Sequence, residues 1–302
     1  MKILIPVDGS SCSVEAIRFI GERAGFMGDK PSVELLNVQS DIPAGVIDRF
    51  GLESVRSVYE AEGRARLEGA EKTAERAGIT CDSAVRLGEC GPVIARECET
   101  VKADMIAMGT RGLSPAKSFF LGSVSRSVLE RTTTPVLLVR EEALPARENL
   151  RIVLAVDGSD YGEAAAAFIA GNPAFFGPKP TVDVICVARD FVGLAMNPVD
   201  GVAPGTSPEA LSAVAAAAWE NAVAPVLETL ADAGIEARPV RREGDAAEGI
   251  STYANENADI IVMGSHGYGR IKTAVLGSTA AKVAALTKIP VVVIRVPTCE
   301  VI

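Results

Sequence analysis

The chain has 302 residues, 48% hydrophobic and 23% charged, with 30 Lys plus Arg against 39 Asp plus Glu and a formal net charge of −9. That length exceeds one ordinary core and suits two domains, and the apolar content excludes a disordered chain. An acidic balance without any Lys- or Arg-rich run disfavours nucleic acid and anionic membrane as partners.

The first residues, Met1 to Asp8, read directly as a strand rather than a leader, and no apolar run reaches bilayer length, so a cytoplasmic location is expected. Six cysteines (Cys12, Cys81, Cys90, Cys98, Cys186, Cys299) lack CxxC or CxxH spacing, and there is one histidine. No metal site and no structural disulfide is expected from them. Packed thiols are expected instead, with Cys90, beside Gly91 in a loop, the one to test for reactivity.

In chain order, the first half predicts strand Lys2 to Val7, helix Ser11 to Gly25, strand Ser32 to Val38 and a long helix near Leu52 to Gly78. Strand Thr80 to Leu87, helix Pro92 to Val101, strand Ala103 to Met108, helix Ser123 to Arg131 and strand Pro135 to Arg140 follow. The long helix carries Val55, Tyr59, Gly63, Leu67, Ala70, Ala74 and Ala77 at three- and four-residue spacing, with charges between them.

The second half repeats the order: strand Arg151 to Val156, helix Ser159 to Gly171, strand Thr181 to Val187 and a helix near Pro208 to Gly234. Strand Ile235 to Arg242, helix Asp245 to Asn257, strand Asp259 to Met263, helix Ser278 to Leu286 and strand Pro290 to Val296 complete it. The expected domains are 1–142 and 150–298, joined by a linker over Glu141 to Asn149, with a long Gly- and Pro-rich loop over Gly193 to Pro208.

Strands that are apolar at every residue, such as Met105-Ile106-Ala107-Met108, belong to parallel sheets covered on both faces. The fold class is therefore α/β, with two tandem doubly wound open parallel five-stranded sheets of strand order 3-2-1-4-5. The last strands, Pro135 to Arg140 and Pro290 to Arg295, are too apolar for exposed edges. They are expected to pack on one another, making the chain an internal pseudo-dimer.

One glycine pattern occurs twice. Gly109-Thr110-Arg111-Gly112, nine residues and Gly122-Ser123 match Gly264-Ser265-His266-Gly267, nine residues and Gly277-Ser278. Glycine at matched places implies close backbone approach or positive φ, and phosphate at a helix N-terminus is the expected cause. In a 3-2-1-4-5 sheet this loop faces the end of strand one, Val7-Asp8-Gly9-Ser10, across the switch point. The same applies to Asp157 and Gly264. Turn formation alone is the competing reading for both aspartates.

Pro6-Val7-Asp8-Gly9-Ser10, Val38 at the end of strand two and Gly-x2-Gly-x9-Gly-Ser after strand four together resemble the ATP-binding branch of the universal stress proteins. The resemblance spans the whole chain as a tandem, and it implies an adenine nucleotide alpha hydrolase-like fold. It also implies that Asp8 and Asp157 lie on the adenosine side, with Pro6, Val7 and Val156 beside them. Val38 and Val187 would meet adenine through their backbone. Gly109, Arg111, Gly112, Gly122, Ser123, Val124 and Ser125 would hold ribose and phosphates, as would Gly264, His266, Gly267, Gly277, Ser278 and Thr279. ATP is the implied ligand, often with Mg2+.

The copies differ after the last glycine: Val124-Ser125 supplies a second hydroxyl that Thr279-Ala280 lacks, so the first site is the more complete. His266 occupies the slot of Arg111 and is expected to contact phosphate or solvent rather than act as a base. Trp219 and Tyr59 are expected to pack rather than to stack on nucleotide.

Neither half has a Walker lysine, an HxGH signature or an SGGxDS loop. The expected function is an ATP-binding regulator of the stress response with protein clients. A slow ATPase or autophosphorylating protein using Ser123, Ser125 or Ser278, and a scaffold with one site empty, are the alternatives. No catalytic residue is assigned.

Overall fold

A computed structural model describes residues 1–41, 44–110, 121–140, 147–188, 207–266 and 276–296. The first half runs β1 (Lys2–Pro6), α1 (Ser11–Phe26), β2 (Ser32–Gln39), α2 (Ala44–Phe50), α3 (Leu52–Arg76) and β3 (Cys81–Leu87). It continues with α4 (Cys90–Val101), β4 (Met105–Gly109), α5 (Ser123–Arg131) and β5 (Val136–Val139). The second half runs β6 (Arg151–Ala155), α6 (Asp160–Gly171), α7 (Pro173–Phe176), β7 (Thr181–Ala188), α8 (Pro208–Asp232) and β8 (Glu236–Glu243). Then come α9 (Ala246–Asn257), β9 (Ile260–Gly264), α10 (Ser278–Leu286) and β10 (Val291–Ile294).

Each half has strand order 3-2-1-4-5, and all pairings within a half are parallel. The two expected sheets are joined edge to edge into one sheet of ten strands. β5 and β10 pair antiparallel, with Leu138 opposite Val291, Leu137 opposite Val292 and Val136 opposite Val293. Every residue of both strands is buried. Strands that would be sticky edges thus become the centre of the sheet. The true edges, β3 and β8, carry Asp82, Arg86, Arg238, Arg241 and Glu243, which oppose further pairing.

Alternate side chains of each strand feed two cores, one per face. Ile3, Ile5, Leu35, Ile152, Leu154 and Val184 pack on one side with α1, α3, α6, α7 and α8. Leu4, Leu36, Ile106, Val153, Ile185 and Ile261 pack on the other with α4, α5, α9 and α10. The first core is shared between the halves. Phe19 of α1 meets Phe175 of α7 edge to face at 6.2 Å, and Phe175 and Phe176 are both fully buried. Burial of such a ring stabilises by roughly 1.5–3 kcal/mol.

Arg23 closes this junction. Its guanidinium is buried and donates to the carbonyls of Phe175 at 2.8 Å, Arg147 at 2.6 Å and Glu148 at 2.9 Å. These carbonyls lie on the segment entering β6 and on α7, so one charged side chain of the first half fixes where the second begins. The α2 and α7 helices were not expected. Seven and four residues are too short to show a 3.6-residue period, and α7 is announced only by Pro173 in its first turn.

Candidate functional site

The Asp-Gly-Ser segments form matching turns. Gly9 and Gly158 adopt φ of 84° and 83°, a conformation costly for any residue with a Cβ. Asp8 Oδ1 accepts from the Ser10 N–H at 3.0 Å, and Asp157 Oδ1 accepts from the Ser159 N–H at 3.1 Å and its hydroxyl at 2.6 Å. Both carboxylates therefore do the work of turn residues, yet Asp157 remains exposed at the strand end.

The glycine loops are explained partly by ligand-independent packing. A Cβ on Gly109 would lie 2.5 Å from Cys12 Cβ of α1, and one on Gly264 would collide with Tyr161 Cβ of α6. These glycines let the first helix of each half rest against the end of β4 or β9. Neither has positive φ, so the sequence expectation is met by close approach, with a helix as the neighbour.

Gly122 and Gly277 have a different task. Their N–H groups donate to the carbonyls of Thr110 at 3.0 Å and Ser265 at 2.8 Å, tying each helix start to the end of β4 or β9. Each is the N-cap of its helix and supplies no side-chain cap. By contrast, Ser10 caps α1 and Asp245 caps α9 through side-chain oxygens. The first turns of α5 and α10 thus lack the side-chain acceptor those helices possess, which suits them to an anion. Ser125 is buried, and its hydroxyl donates to Gly109 O at 3.2 Å, tying α5 to β4.

In the second half the sequence-predicted residues converge on a cavity of about 970 Å3. Val156, Asp157 and Val187 line it at the ends of β6 and β7. Gly264, His266, Gly277, Ser278 and Thr279 line it opposite, along β9 and the start of α10. His266 Nδ1 lies 3.0 Å from the Ser265 hydroxyl, and its ring is 5.6 Å from that of Tyr161.

The volume falls at the upper end of the roughly 300–1,000 Å3 typical of small-molecule sites. Trp219 of α8, expected only to pack, packs on the core and also forms part of the cavity wall. Cys186 lines it too; burial, aided by the nearby Asp157 carboxylate, pushes its thiol up to about 11.

In the first half, Pro6, Val7, Asp8, Val38, Gly109, Gly122, Ser123 and Val124 occupy the matching places around β1, β2, β4 and α5. Asn37 Nδ2 donates to Val7 O at 2.7 Å, and Gln39 Nε2 to Asn37 Oδ1 at 2.7 Å, so a buried amide pair stiffens the end of β1. Arg111, Gly112 and Gly267, with most of the linker and of the Gly193 to Pro208 loop, lie outside the described residues. Burial pushes the Cys90 thiol up as well, against its selection as the reactive cysteine. Among the described residues no three His, Cys, Asp or Glu side chains gather as a metal site, and no helix is long and apolar enough to cross a membrane.

The model of the Universal stress protein family matches residues 1–140 and again 148–295. The chain belongs to the universal stress protein family. A universal stress protein of Mycolicibacterium smegmatis is 26% identical over 308 residues, covering 97% of this chain and 96% of that one. One of Mycobacterium tuberculosis is 27% identical over 323 residues, covering 98% and 96%. A universal stress protein from Archaeoglobus fulgidus superposes with a TM-score of 0.69 at 23% identity, covering 97% of this chain and 98% of that one. Tandem universal stress protein architecture therefore extends along the whole chain.

Proposed function

We propose that this universal stress protein binds adenine nucleotide, ATP above all, and that occupancy regulates its association with other proteins. The observation that carries this reading is the second-half cavity. It gathers two kinds of wall: valine and aspartate at the ends of adjacent parallel strands, and a glycine-capped helix start opposite.

A purine base and ribose suit the first wall, since strand-end backbone offers hydrogen bonds and Val156 and Val187 offer apolar contact. Phosphates suit the second, where backbone N–H groups and the helix dipole favour negative charge. A Cβ on Gly277 would lie 2.9 Å from Ser265 O, so glycine here lets the helix start sit close to the end of β9. Mg2+, where it accompanies the triphosphate, would be held mainly by phosphate oxygens and water.

Regulation is preferred to turnover because an efficient phosphoryl-transfer site needs a placed base and a cationic clamp. His266, close to Ser265 and Tyr161, is a contact residue in this reading.

The test is mass spectrometry of small molecules released from freshly purified protein, followed by equilibrium dialysis with labelled ATP. One or two ATP per chain, reduced by Gly277→Val, is the expected result. Protein that neither carries nor takes up adenylate would refute the proposal. Steady ATP hydrolysis abolished by Gly277→Val would move the reading to a slow ATPase.

A further inference from the structure

The helices facing the two sites are equal in length and end before matched glycines, Gly78 and Gly234, with φ of 71° and 70°. That register places Leu67 with Val223, Ala70 with Val226 and Ala74 with Leu230, all buried. It also places Gly63 with Trp219 and Arg66 with Ala222. The packing of the two halves diverges at these positions.

At Gly63, α3 presses onto the sheet: a Cβ there would lie 2.6 Å from Val85 and 2.9 Å from Asn37 Oδ1. A tryptophan could not occupy such a contact. Arg66 lies against Gly9 at the mouth of the first site, with its Cγ 3.7 Å from where a Cβ would be. It pairs with Glu62 at 2.6 Å. In the second half Ala215, Ala218 and Ala222 surround Trp219 on the cavity wall. Ala215 and Ala222, four residues before and three after, share the helix face of the indole, beside the ends of β6 and β7.

We infer that Trp219 is a ligand-contacting and specificity-determining residue of the second site, a platform for a planar base at a position where α3 carries Gly63. This rests on the reading of the cavity as a nucleotide site. The contact is through the ring. The indole N–H is buried without a hydrogen-bond partner among the described residues. At these matched positions the two halves differ, α3 bringing an Arg66–Glu62 pair and α8 an indole.

Trp219 is the chain's single tryptophan, so its emission reports directly on this wall. Titrating the full chain with ATP should change tryptophan emission along a saturable curve. By dialysis, Trp219→Ala should weaken one class of sites at least about fivefold, the lower end of what base–aromatic stacking supplies. Trp219→Phe, which keeps a ring, should stay within about threefold of wild type. Wild-type ATP binding with unmoved emission, or with unchanged affinity in Trp219→Ala, would overturn the inference while leaving nucleotide binding intact. Absence of ATP binding in the wild type would instead overturn the underlying reading. If Trp219→Ala does not fold, wild-type emission and the affinity of Trp219→Phe decide.

Discussion

Arg140 and Arg295, at the far ends of the paired strands β5 and β10, each hold the last helix of the opposite half. Arg140 donates to the carbonyls of Ala284 and Ala285 in α10, at 2.6 and 2.5 Å, and Arg295 donates to Leu129 O in α5. Both cations sit at a helix C-terminus, where orphan carbonyls and the dipole favour positive charge. Because α5 and α10 begin at the glycine-capped loops, each site is braced from behind by the other half.

Replacing either arginine with methionine should keep the packing of its stem and lose these bonds. A loss of about 2 kcal/mol is expected for each, since hydrogen bonds from charged groups contribute roughly 1.5–3 kcal/mol. Urea unfolding followed by circular dichroism measures it. A change below about 0.5 kcal/mol in both variants, the level of ordinary surface substitutions, would show that the exchange is incidental.

Asp157 separates turn from ligand. Asparagine keeps an oxygen acceptor for Ser159, so Asp157→Asn should leave the thermal midpoint nearly unchanged while weakening ATP binding. Asp157→Ala should weaken binding and also lower the midpoint by about 2–4 °C, the equivalent of roughly 1 kcal/mol in a protein of this size class. Should Asp157→Asn bind ATP like the wild type, the carboxylate serves only the turn. Asp8 admits the same comparison.

The Cys186 thiol, pushed up to about 11 by burial and by Asp157, makes stability depend on alkaline pH. An unfolded-chain cysteine ionises near 8.5–9. Below that pH both states keep the proton and the contribution is complete; between there and about 11 only the unfolded chain has lost it, so stability falls as pH rises. Cys186→Ala should flatten this part of the pH profile in chemical denaturation. An equal slope in both proteins would assign it to other groups. Cys90 and Cys98, also pushed up by burial, should react slowly with a disulfide reagent at neutral pH.

Gly264→Ala should be far worse than an ordinary helix or strand change, because its methyl group meets Tyr161 Cβ. Overpacking of this kind costs about 1–3 kcal/mol, and α6 must shift to accommodate it. Pairing it with Tyr161→Gly should recover part of the loss, which differential scanning calorimetry would detect. No recovery would mean that the glycine is required by its loop and not by the helix.

The order of elements was legible because buried parallel strands are apolar at every residue. Met105 to Met108 and Ile260 to Met263 show this, and all are buried. The pairing of β5 with β10 followed from the absence of charge within either strand. The shared core was not legible. Phe175 and Phe176 follow Pro173 in a four-residue turn without a period, and Arg23 gives no sign in the sequence that it reaches carbonyls more than a hundred residues away.

At the site, the paired motifs named the residues that meet around the second cavity, although the sequence rated the first site the more complete. Trp219 packs on the core as the sequence predicts, and its place in the cavity wall was not legible for a definite reason. Helical spacing shows which side a tryptophan faces, but not whether the space beyond it is filled. Aligning the two long helices on Gly78 and Gly234 would have set it against Gly63 and raised the question.

The seam between β5 and β10 joins two different sequences where an assembly of identical copies would join the same one twice. In such an assembly every substitution is imposed on both pockets together. Here the glycine of α3 and the tryptophan of α8 coexist, so one half can drift while its twin holds still.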